Sequence, residues 1–369
     1  MSTPELIREK IQSLREELSR TQVNKATEHH IALVKSRLAR LTHELEEKEH
    51  ARTGGSFGFA VKKTGDATAV LVGFPNAGKS TIINKLTNAD SPVGTYEFTT
   101  VAVIPGMMDY RGAKIQLLDL PGIIEGAASG RGLGKRVLSV VRSADLVLIV
   151  LDVLHLDQIH LIRKELSNMG IRLDERPPNV VVEKTSSGGM IIIPQVPLKR
   201  LSEKTVVAVL QSYGILNARV TISEDITDDQ LIDVLLGNRS YITSILVVNK
   251  VDLASADLVH GIKSKLGGDF VAISAESGMN LNEFKEEIYR KLNFIPIYLR
   301  PRDGEPDYDH PLIVKNGSMI LDVCNKIHRG LKKEFKHALV WGKSVRFGGQ
   351  KVGLNHKVAN GDVVTIIKQ

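Results

Sequence analysis

Hydrophobic residues at helical spacing characterise the first fifty positions of the chain. Apolar side chains recur with a helical period over residues 7–18 and again over residues 31–45. The pattern stops between Thr21 and Thr27, so it predicts a hairpin of two antiparallel helices within residues 1–52. Positions 1–50 carry nine basic and nine acidic residues, which does not suit an electrostatic clamp for nucleic acid. Two interpretations stay open: an arm that packs against the neighbouring domain, or an arm that binds a partner.

A different pattern begins after residue 66. Short apolar runs typical of buried strands alternate with helical stretches, which predicts an α/β domain with a mostly parallel sheet over residues 67–294. The predicted elements include the strands Ala67–Val72, Ile115–Leu118, Leu146–Asp152 and Ile245–Val248 and a helix near Ile159–Met169. Residues 53–66, with the sequence Gly54-Gly55-Ser56-Phe57-Gly58 inside them, are predicted to be a flexible linker.

The segment after the first strand predicts a phosphate-binding loop. GFPNAGKS has the GxxxxGK[ST] spacing and lies between an apolar strand and a helical stretch. In such a loop backbone N–H groups and the helix N-terminus bind phosphate, Lys79 reaches the β- and γ-phosphates, and Ser80 ligates Mg²⁺. The predicted nucleotide contacts in this segment are Gly73, Phe74, Pro75, Asn76, Ala77, Gly78, Lys79, Ser80 and Thr81.

Motifs at the ends of three later strands indicate a guanine nucleotide. In DLPG, Asp119 is placed to hold Mg²⁺ and Gly122 to meet the γ-phosphate. In NKVD, Asp252 can accept two hydrogen bonds from guanine that adenine does not offer, Asn249 ties the loop to the phosphate loop, and Lys250 covers the base. A third motif, in which a backbone N–H can contact the guanine carbonyl, consists of Ser274, Ala275 and Glu276. Parallel strands place such motifs at one edge of the sheet, so we predict one GTP site.

The stretch YEFTT, between the phosphate loop and Asp119, is predicted to respond to the γ-phosphate. Thr100 is the candidate Mg²⁺ ligand in the triphosphate state, and Thr99 is the second candidate. Phe98 lies beside them and is included among the nucleotide contacts. An alternative is that the two threonines simply open a strand.

Slow intrinsic hydrolysis is predicted from the residue after Gly122. Ile123 stands where Ras-like enzymes carry a water-orienting glutamine, and isoleucine cannot orient water. The predicted catalytic residues are therefore Lys79, Thr100, Gly122 and Asn76. The amide oxygen of Asn76 is a candidate ligand for K⁺ beside the phosphates, where a cation would stabilise transition-state charge. Alternatively, asparagine merely suits the turn at that position.

The spacing between Asp119 and Asn249 reveals an insertion. The two residues are 130 positions apart, and a minimal domain of this kind needs about half of that. The excess lies at about residues 170–225. There the predicted elements are the β-rich stretches Val180–Lys184, Met190–Val196 and Ala218–Ser223 around a helix near Glu203–Tyr213. We predict a small α+β insert, to which the sequence alone assigns no ligand.

Positive charge is concentrated in residues 295–369. This tail has thirteen Lys/Arg against seven Asp/Glu in a chain of net charge +7. Strand-like stretches at Pro296–Arg300 and Val363–Lys368 and a helix-like stretch at Ile320–Phe335 predict a β-grasp domain. A basic face fits contacts with the phosphate backbone of RNA, and few aromatic residues interleave it, which favours backbone and shape contacts over base stacking. The candidate RNA-binding residues are Lys326, Arg329, Lys332, Lys333, Lys336, Lys343 and Arg346. The alternative is a solvated basic helix without a partner.

Composition indicates a globular protein without disulfides or membrane helices. Hydrophobic content of 42% and charged content of 25% are ordinary for globular chains. The single cysteine, Cys324, excludes an internal disulfide framework and suits a reducing cytoplasm. No apolar run approaches the roughly 20 residues of a membrane helix, and the charged N-terminus lacks a signal-peptide core. We therefore expect a cytoplasmic protein without a membrane or DNA partner.

The motifs together resemble a known family. GFPNAGKST, YEFTT and LDLPGIIEGAASGRGLG are similar to the Obg-related GTPases, and within these to the developmentally regulated GTP-binding (DRG) proteins. TQVNKAT and the C-terminal ALVWGKSV and VGLNHKVANGDVVTI extend the resemblance over essentially the whole chain. The resemblance implies a cytoplasmic GTPase that works with ribosomes or translation factors and is often stimulated by K⁺. It also implies a C-terminal TGS domain and an insert similar to a ribosomal-protein domain.

Three functions compete at this point. The first is a switch that hydrolyses GTP to GDP and phosphate and engages the ribosome or ribosomal RNA. The second is a GTP-dependent scaffold that hydrolyses GTP only when a regulatory protein partner docks, without direct RNA contact. The third, an ATPase of the TGS-bearing Obg-like type, is disfavoured because those proteins depart from NKxD, which this chain keeps at Asn249 to Asp252.

Overall fold

A computed structural model describes residues 3–52, 64–87, 104–120, 139–328 and 330–368, apart from the side chains of residues 46, 49–52 and 256–260. The chain divides into two compact units. One unit joins the N-terminal helices with Glu175–Tyr241, which we call the insert. The other joins the stretch that ends at Asp174 with the stretch that begins at Ile242.

The helices follow the capping signals of the sequence. Thr3 caps the first helix through its side chain and Pro4 occupies the first turn, while Thr227 and Gln230 form a reciprocal capping box in the insert. In chain order the helices are α1 (Pro4–Arg20), α2 (Glu28–Arg52), α3 (Lys79–Leu86), α4 (Gln158–Asn168), α5 (Glu203–Ser212), α6 (Asp228–Leu236), α7 (Ala256–Leu266), α8 (Leu281–Lys291), α9 (Ile320–Ile327) and α10 (Leu331–Glu334). None of the helices within the described ranges is long and apolar enough to span a bilayer.

The strands fall into three sheets. In chain order they are β1 (Ala67–Val72), β2 (Ile104–Tyr110), β3 (Ala113–Asp119), β4 (Leu146–Asp152), β5 (Ile171–Leu173), β6 (Val180–Lys184), β7 (Met190–Pro194), β8 (Ala218–Ile222), β9 (Ser240–Asn249), β10 (Val271–Ala272), β11 (Phe294–Leu299), β12 (Leu312–Lys315), β13 (Phe335–Trp341), β14 (Gln350–Val352) and β15 (Val363–Lys368).

The largest sheet has the order β10-β9-β4-β1-β3-β2, with β5 paired to β9. The pairings β1–β3, β1–β4, β4–β9 and β9–β10 are parallel, and β2 runs antiparallel to β3. Strand β1 is buried along its whole length, because Ala69 and Leu71 pack into the core on one face and Val70 and Val72 into the core on the other. The predicted α/β fold with a mostly parallel sheet is confirmed.

Parallel pairing brings the ends of distant strands to the same level. Leu71 pairs with Asp119, and Asp152 pairs with Asn249, so the residues that follow β1, β3, β4 and β9 meet at one edge. Ligands of open α/β sheets bind at this carboxyl edge. The sheet therefore positions the predicted nucleotide motifs side by side, although they are far apart along the chain.

The C-terminal sheet has the order β12-β11-β15-β13-β14 and packs against α9, as a β-grasp fold requires. One expectation was wrong: the predicted helix over Ile320–Phe335 is not continuous. Helix α9 ends because His328 is extended, with φ −162° and ψ 131°, and Phe335 already begins β13, where it pairs with Lys368. Helical periodicity in the sequence did not reveal this break.

The C-terminal domain shares a core with the α/β domain, and both belong to the same compact unit. Ile313 of β12 belongs to the same buried cluster as Ala67, Ala113 and Ile115 of the large sheet. Lys315 donates to Asp145 at 2.9 Å.

Asp66 belongs to the predicted linker, whose residues 53–63 lie outside the described part of the chain. It accepts a hydrogen bond from the Lys114 N–H at 2.8 Å.

The insert forms one compact unit with the N-terminal helices. Its sheet has the order β6-β8-β7, and α5 and α6 cover one face. Ala32 of α2 is buried in the same core, and Lys35 makes ion pairs with Asp228 and Asp229 at 3.1 and 2.8 Å. Helix α2 therefore packs against the insert, which the sequence did not indicate. The segment also continues through α6, beyond the predicted end near residue 225.

This shared core yields a stability prediction. Ala32→Asp places an unpaired carboxylate in a core where Ala32 is 1% exposed. We expect the unit formed by α2 and the insert to lose about 3 kcal/mol or more of stability. Hydrogen exchange in β8 would detect the loss, because β8 is the central strand of that sheet.

The same substitution at an exposed position is the control. Ala26→Asp lies in the exposed turn between α1 and α2 and is expected to leave exchange in β8 unchanged. Unchanged protection in Ala32→Asp would contradict the shared core.

Candidate nucleotide-binding site

The loop between β1 and α3 is shaped by backbone conformations that suit few residues. Gly78 has φ +89°, and a Cβ there would lie 2.2 Å from Asn249 Nδ2. A Cβ on Gly73 would lie 2.3 Å from the Val150 carbonyl oxygen, so only glycine fits at that position too. Asn76 is left-handed with φ +62°, a conformation that asparagine tolerates. The loop thus keeps the compact form that lets backbone N–H groups surround a phosphate.

Lys79 is the charged group of this loop. Its side chain is buried, and its ammonium donates to the carbonyl oxygens of Gly73 and Phe74 at 3.0 and 2.9 Å. These bonds hold a positive charge beside the N-terminus of α3. The arrangement suits a lysine that faces the phosphates of a bound nucleotide.

Ser80 and Asp119 form the candidate Mg²⁺ site. The Ser80 hydroxyl donates to Asp119 Oδ2 at 2.5 Å. Asp119 is buried, and its other oxygen, Oδ1, has no hydrogen-bond partner in the described part of the protein. A hydroxyl next to a carboxylate with an unsatisfied buried oxygen is a donor set that Mg²⁺ accepts, directly or through water. The residues present therefore fit the ion.

Asn249 connects three of the predicted motifs. Its buried side chain donates from Nδ2 to the Ala77 carbonyl at 2.9 Å, and its Oδ1 accepts from the Ala275 N–H at 3.0 Å. The expected tie between the NKVD loop and the phosphate loop is present. Because the Ala275 N–H is engaged by Asn249, the Glu276 N–H is the candidate donor to the guanine carbonyl. Ser274 is buried and its hydroxyl accepts from the Ser277 N–H, which stabilises this turn.

Asp152 is a neighbour of the site that sequence reasoning missed. Lys250, left-handed with φ +64°, donates from its ammonium to Asp152 Oδ2 at 2.8 Å. Burial alone would raise the pKa of Asp152, but the hydrogen bonds from Lys250 and the Leu154 N–H outweigh it and lower that pKa below its usual value. Asp152 thus stays ionised and fixes the lysine predicted to cover the base. The available signal was a carboxylate at the end of a buried strand.

Asp252 differs from the buried members of the site. It lies in a 3₁₀ turn, Val251–Leu253, is exposed, and receives no hydrogen bond from any residue that the structure describes. A carboxylate held on a short turn and open to solvent is suited to accept hydrogen bonds from a ligand. Four predicted residues, Phe98, Thr99, Thr100 and Gly122, lie outside the described ranges.

The predicted RNA contacts divide into two groups. Lys332 and Lys333 lie on α10, Lys336 on β13, and Lys343 and Arg346 between β13 and β14, and all five are exposed. Lys326 is different: its ammonium pairs with Asp66 at 2.5 Å and also donates to the Ile313 carbonyl. The ion pair with Asp66 holds the C-terminal domain to the α/β domain, while the bond to Ile313 stays within the C-terminal domain. Both engage the Lys326 ammonium, which argues against an RNA contact for this residue. Arg329 lies outside the described residues.

Three family models match successive stretches of the chain from residue 68 onward. The model described as 50S ribosome-binding GTPase matches residues 68–184, and the model of the C-terminal region of that domain matches residues 187–294. The TGS domain model matches residues 295–368. The chain is therefore a P-loop GTPase with a C-terminal TGS domain.

Full-length relatives agree with these matches. The chain is 50% identical over 368 residues to an uncharacterized GTP-binding protein of Methanocaldococcus jannaschii, covering 98% of this chain and 93% of that protein. It is 45% identical over 360 residues to GTP-binding protein 1 of Schizosaccharomyces pombe, covering 97% and 98%. It is 42% identical over 364 residues to developmentally-regulated GTP-binding protein 2 of Homo sapiens, covering 98% and 100%. With this identity sustained over the full length of both chains, the protein belongs to the developmentally regulated GTP-binding protein family.

Proposed function

We propose that this GTP-binding protein is a molecular switch that hydrolyses GTP to GDP and phosphate and engages the ribosome through its TGS domain. The observation that carries the GTP site is the convergence of three loops on Asn249, which hydrogen-bonds both to the phosphate loop and to the loop after β10. Such a convergence links phosphate binding to base recognition at one edge of the sheet.

Binding of the triphosphate is assigned to the residues around α3. The Lys79 ammonium exchanges its two carbonyl partners for β- and γ-phosphate oxygens, since charge-assisted hydrogen bonds are the stronger ones. Ser80 and Asp119 would hold Mg²⁺, and Thr100 is proposed to join them. When bound, the ion neutralises charge between the β- and γ-phosphates. Gly73 to Thr81 surround the phosphates with backbone N–H groups.

Guanine recognition is assigned to two loops, the NKVD loop and the loop that contains Ser274, Ala275 and Glu276. Asp252 would accept two hydrogen bonds from the base, and the Glu276 N–H would donate to its carbonyl oxygen. The Lys250 stem, held by Asp152, would cover one face of the ring. This set explains why the nucleotide is GTP rather than ATP, because adenine lacks the donors that satisfy Asp252.

Potassium dependence is proposed for the hydrolysis step. Ile123 cannot orient water, so electrostatic stabilisation near Asn76 has to contribute more. We expect turnover to be about 10-fold faster in K⁺ than in Na⁺. Asn76→Gly should lose this difference, because glycine keeps the left-handed backbone of φ +62° but lacks the amide oxygen. Steady-state phosphate release in the two salts measures both rates.

The control is Asn84→Gly on the exposed face of α3, which should keep the K⁺ response. Equal rates of the unmodified protein in K⁺ and Na⁺ would contradict the cation role of Asn76.

Ribosome engagement rests on charge and on family membership. The GTPase family model is described as 50S ribosome-binding, and exposed lysines of the TGS domain supply contacts for a phosphate backbone. A cytoplasmic location follows from that proposal. A regulatory protein that stimulates the slow hydrolysis is compatible with the same switch.

The decisive experiment is co-sedimentation with purified ribosomes at moderate salt, in GDP and in a non-hydrolysable GTP analogue. Preferential pelleting with the analogue supports a switch whose GTP state engages the ribosome. Equal pelleting in both states makes the TGS domain a constitutive tether. Failure to pellet in either state favours the second function, a GTP-dependent scaffold for a protein partner.

A further inference from the structure

The loop between β13 and β14 displays one aromatic side chain to solvent. Phe347 is 65% exposed at the tip of this loop, although phenylalanine is usually buried. Tyr308 is the other strongly exposed aromatic residue in the described part of the chain, at 62%. A single exposed ring is common on protein surfaces, so what it can bind depends on how it is held and on what surrounds it.

Several contacts hold the loop in a defined shape. Gly349 donates to the Val340 carbonyl at 2.9 Å, and the Arg346 N–H donates to Gln350 Oε1 at 2.9 Å. On the other side, the Ser344 hydroxyl bonds with His356 Nε2 at 2.9 Å. A Cβ on Gly348 would lie 2.7 Å from Trp341 Cδ1, so the loop packs closely on the Trp341 ring. Phe347 is therefore presented by a pre-organised loop.

The exposed charged side chains of the segment around Phe347 are basic, while the buried Asp362 accepts a hydrogen bond from the Ser344 N–H of the loop at 3.4 Å. From Phe335 to Gly361 the chain has five Lys/Arg and no Asp/Glu. All five are exposed, and none pairs with an acidic group of the described residues: Lys336, Lys343, Arg346, Lys351 and Lys357. Tyr308 has the opposite environment, because Asp307 and Asp309 flank it.

We propose that the β13–β14 loop is a stacking platform for an unpaired base of single-stranded RNA, with Phe347 as the platform and Lys343 and Arg346 as contacts to the adjacent phosphates. This inference rests on the RNA engagement proposed above and specifies its partner. An aromatic ring next to cations is the combination by which proteins bind single-stranded nucleic acid, since every base has a face that stacks. The flanking charge is complementary to the RNA backbone.

The proposal departs from an expectation drawn from the sequence, in which sparse aromatic residues favoured backbone and shape contacts over base stacking. The structure buries Phe335 partly and packs the loop on Trp341, but leaves Phe347 open beside Arg346. One exposed and rigidly presented ring is sufficient for one stacked base.

The test measures RNA affinity by fluorescence anisotropy with the full-length protein. The probes are a labelled single-stranded oligouridylate of about 12 nucleotides, within the site size of such surfaces, and a duplex of equal length. Phe347→Ala should weaken binding to the single strand about 10-fold and leave duplex binding unchanged. Phe347→Tyr should bind like the unmodified protein, because tyrosine also stacks.

Two further variants distinguish the contribution of stacking to RNA affinity from the contribution of charge and from any loss of folding. Arg346→Ala should lower the slope of log affinity against log salt concentration, whereas Phe347→Ala should leave that slope unchanged. Tyr308→Ala, an equally exposed aromatic residue in an acidic setting, should bind RNA normally. Unaltered GTP affinity in every variant verifies that each one is folded.

The outcomes distinguish this inference from the function it rests on. The stacking platform is overturned if Phe347→Ala leaves the affinity for single-stranded RNA unchanged. It is also overturned if Tyr308→Ala lowers that affinity by the same factor as Phe347→Ala. If the protein sediments with ribosomes but does not bind the single-stranded RNA, the platform is overturned and ribosome engagement still holds. Absence of binding to either overturns both proposals.

Discussion

Asp252→Asn should change the base specificity of the protein from guanine to xanthine. The carboxylate is exposed on the Val251–Leu253 turn, and no described residue donates to it. An amide offers a donor where guanine also presents a donor, so one hydrogen bond is lost and a polar group is left unpaired. Sites built on such bonds reject the mismatched ligand by about 10⁴-fold. Xanthine presents an acceptor at that position and restores the pair.

The measurement is equilibrium binding of labelled GTP and of labelled xanthosine triphosphate to each protein, with unlabelled adenosine triphosphate as a competitor. GTP affinity should fall by about 10⁴-fold and xanthosine triphosphate should become the preferred ligand. Asp269→Asn, an exposed aspartate in the same domain, should keep guanine specificity. Retention of normal GTP affinity in Asp252→Asn would refute the assignment of this residue to the base.

Lys79→Ala should nearly abolish triphosphate binding. The ammonium is buried and makes two hydrogen bonds to carbonyl oxygens, so it is already oriented at the N-terminus of α3. Two charge-assisted bonds to phosphate contribute roughly 3–5 kcal/mol together, which corresponds to a loss of about 10²–10⁴ in affinity. Hydrolysis should be undetectable in the variant, because the same ammonium meets the γ-phosphate.

Lys85→Ala is the matched control for this variant. Lys85 lies on the same helix, is exposed, and should bind and hydrolyse GTP like the unmodified protein. Circular dichroism of both variants tests whether the fold is preserved. An intact Lys79→Ala protein with full GTP affinity would remove Lys79 from the phosphate site.

Strands were well predicted because their signal is local. Leu146–Asp152, Val180–Lys184 and Val363–Lys368 coincide with β4, β6 and β15, and Ala67–Val72 with β1. Each is an apolar run of strand length, and burial of that run does not depend on which strand lies next to it. The P-loop GTPase fold followed from such runs together with short motifs, whereas the C-terminal TGS domain was implied by the resemblance to a known family.

Errors arose where the conformation depends on distant partners. The helical period of Ile320–Phe335 continues through His328, but the extended conformation of His328 ends α9, and Phe335 pairs with Lys368 in β13. Pairing with a strand more than thirty residues away outweighs a local preference. The core that α6 shares with α2 likewise joins segments that lie far apart along the chain.

Within the candidate site, the motifs were visible in the sequence but their contacts were not. Asn249 was expected to join two loops, and it does so. The Asp152–Lys250 pair and the engagement of Lys326 by Asp66 were not foreseen, since 98 and 260 positions separate the partners along the chain. Nothing in local composition indicates which carboxylate a lysine will meet.

The sequence by itself determined the phosphate loop, the guanine motifs and the apolar strands that precede them, because each depends on a few neighbouring residues. Only the tertiary structure decided which side chains are engaged and which stay open to ligands. It placed Lys326 in an internal ion pair and left Asp252 and Phe347 exposed. The physical reason is that burial and charge pairing depend on elements brought together in space, which a linear pattern does not encode.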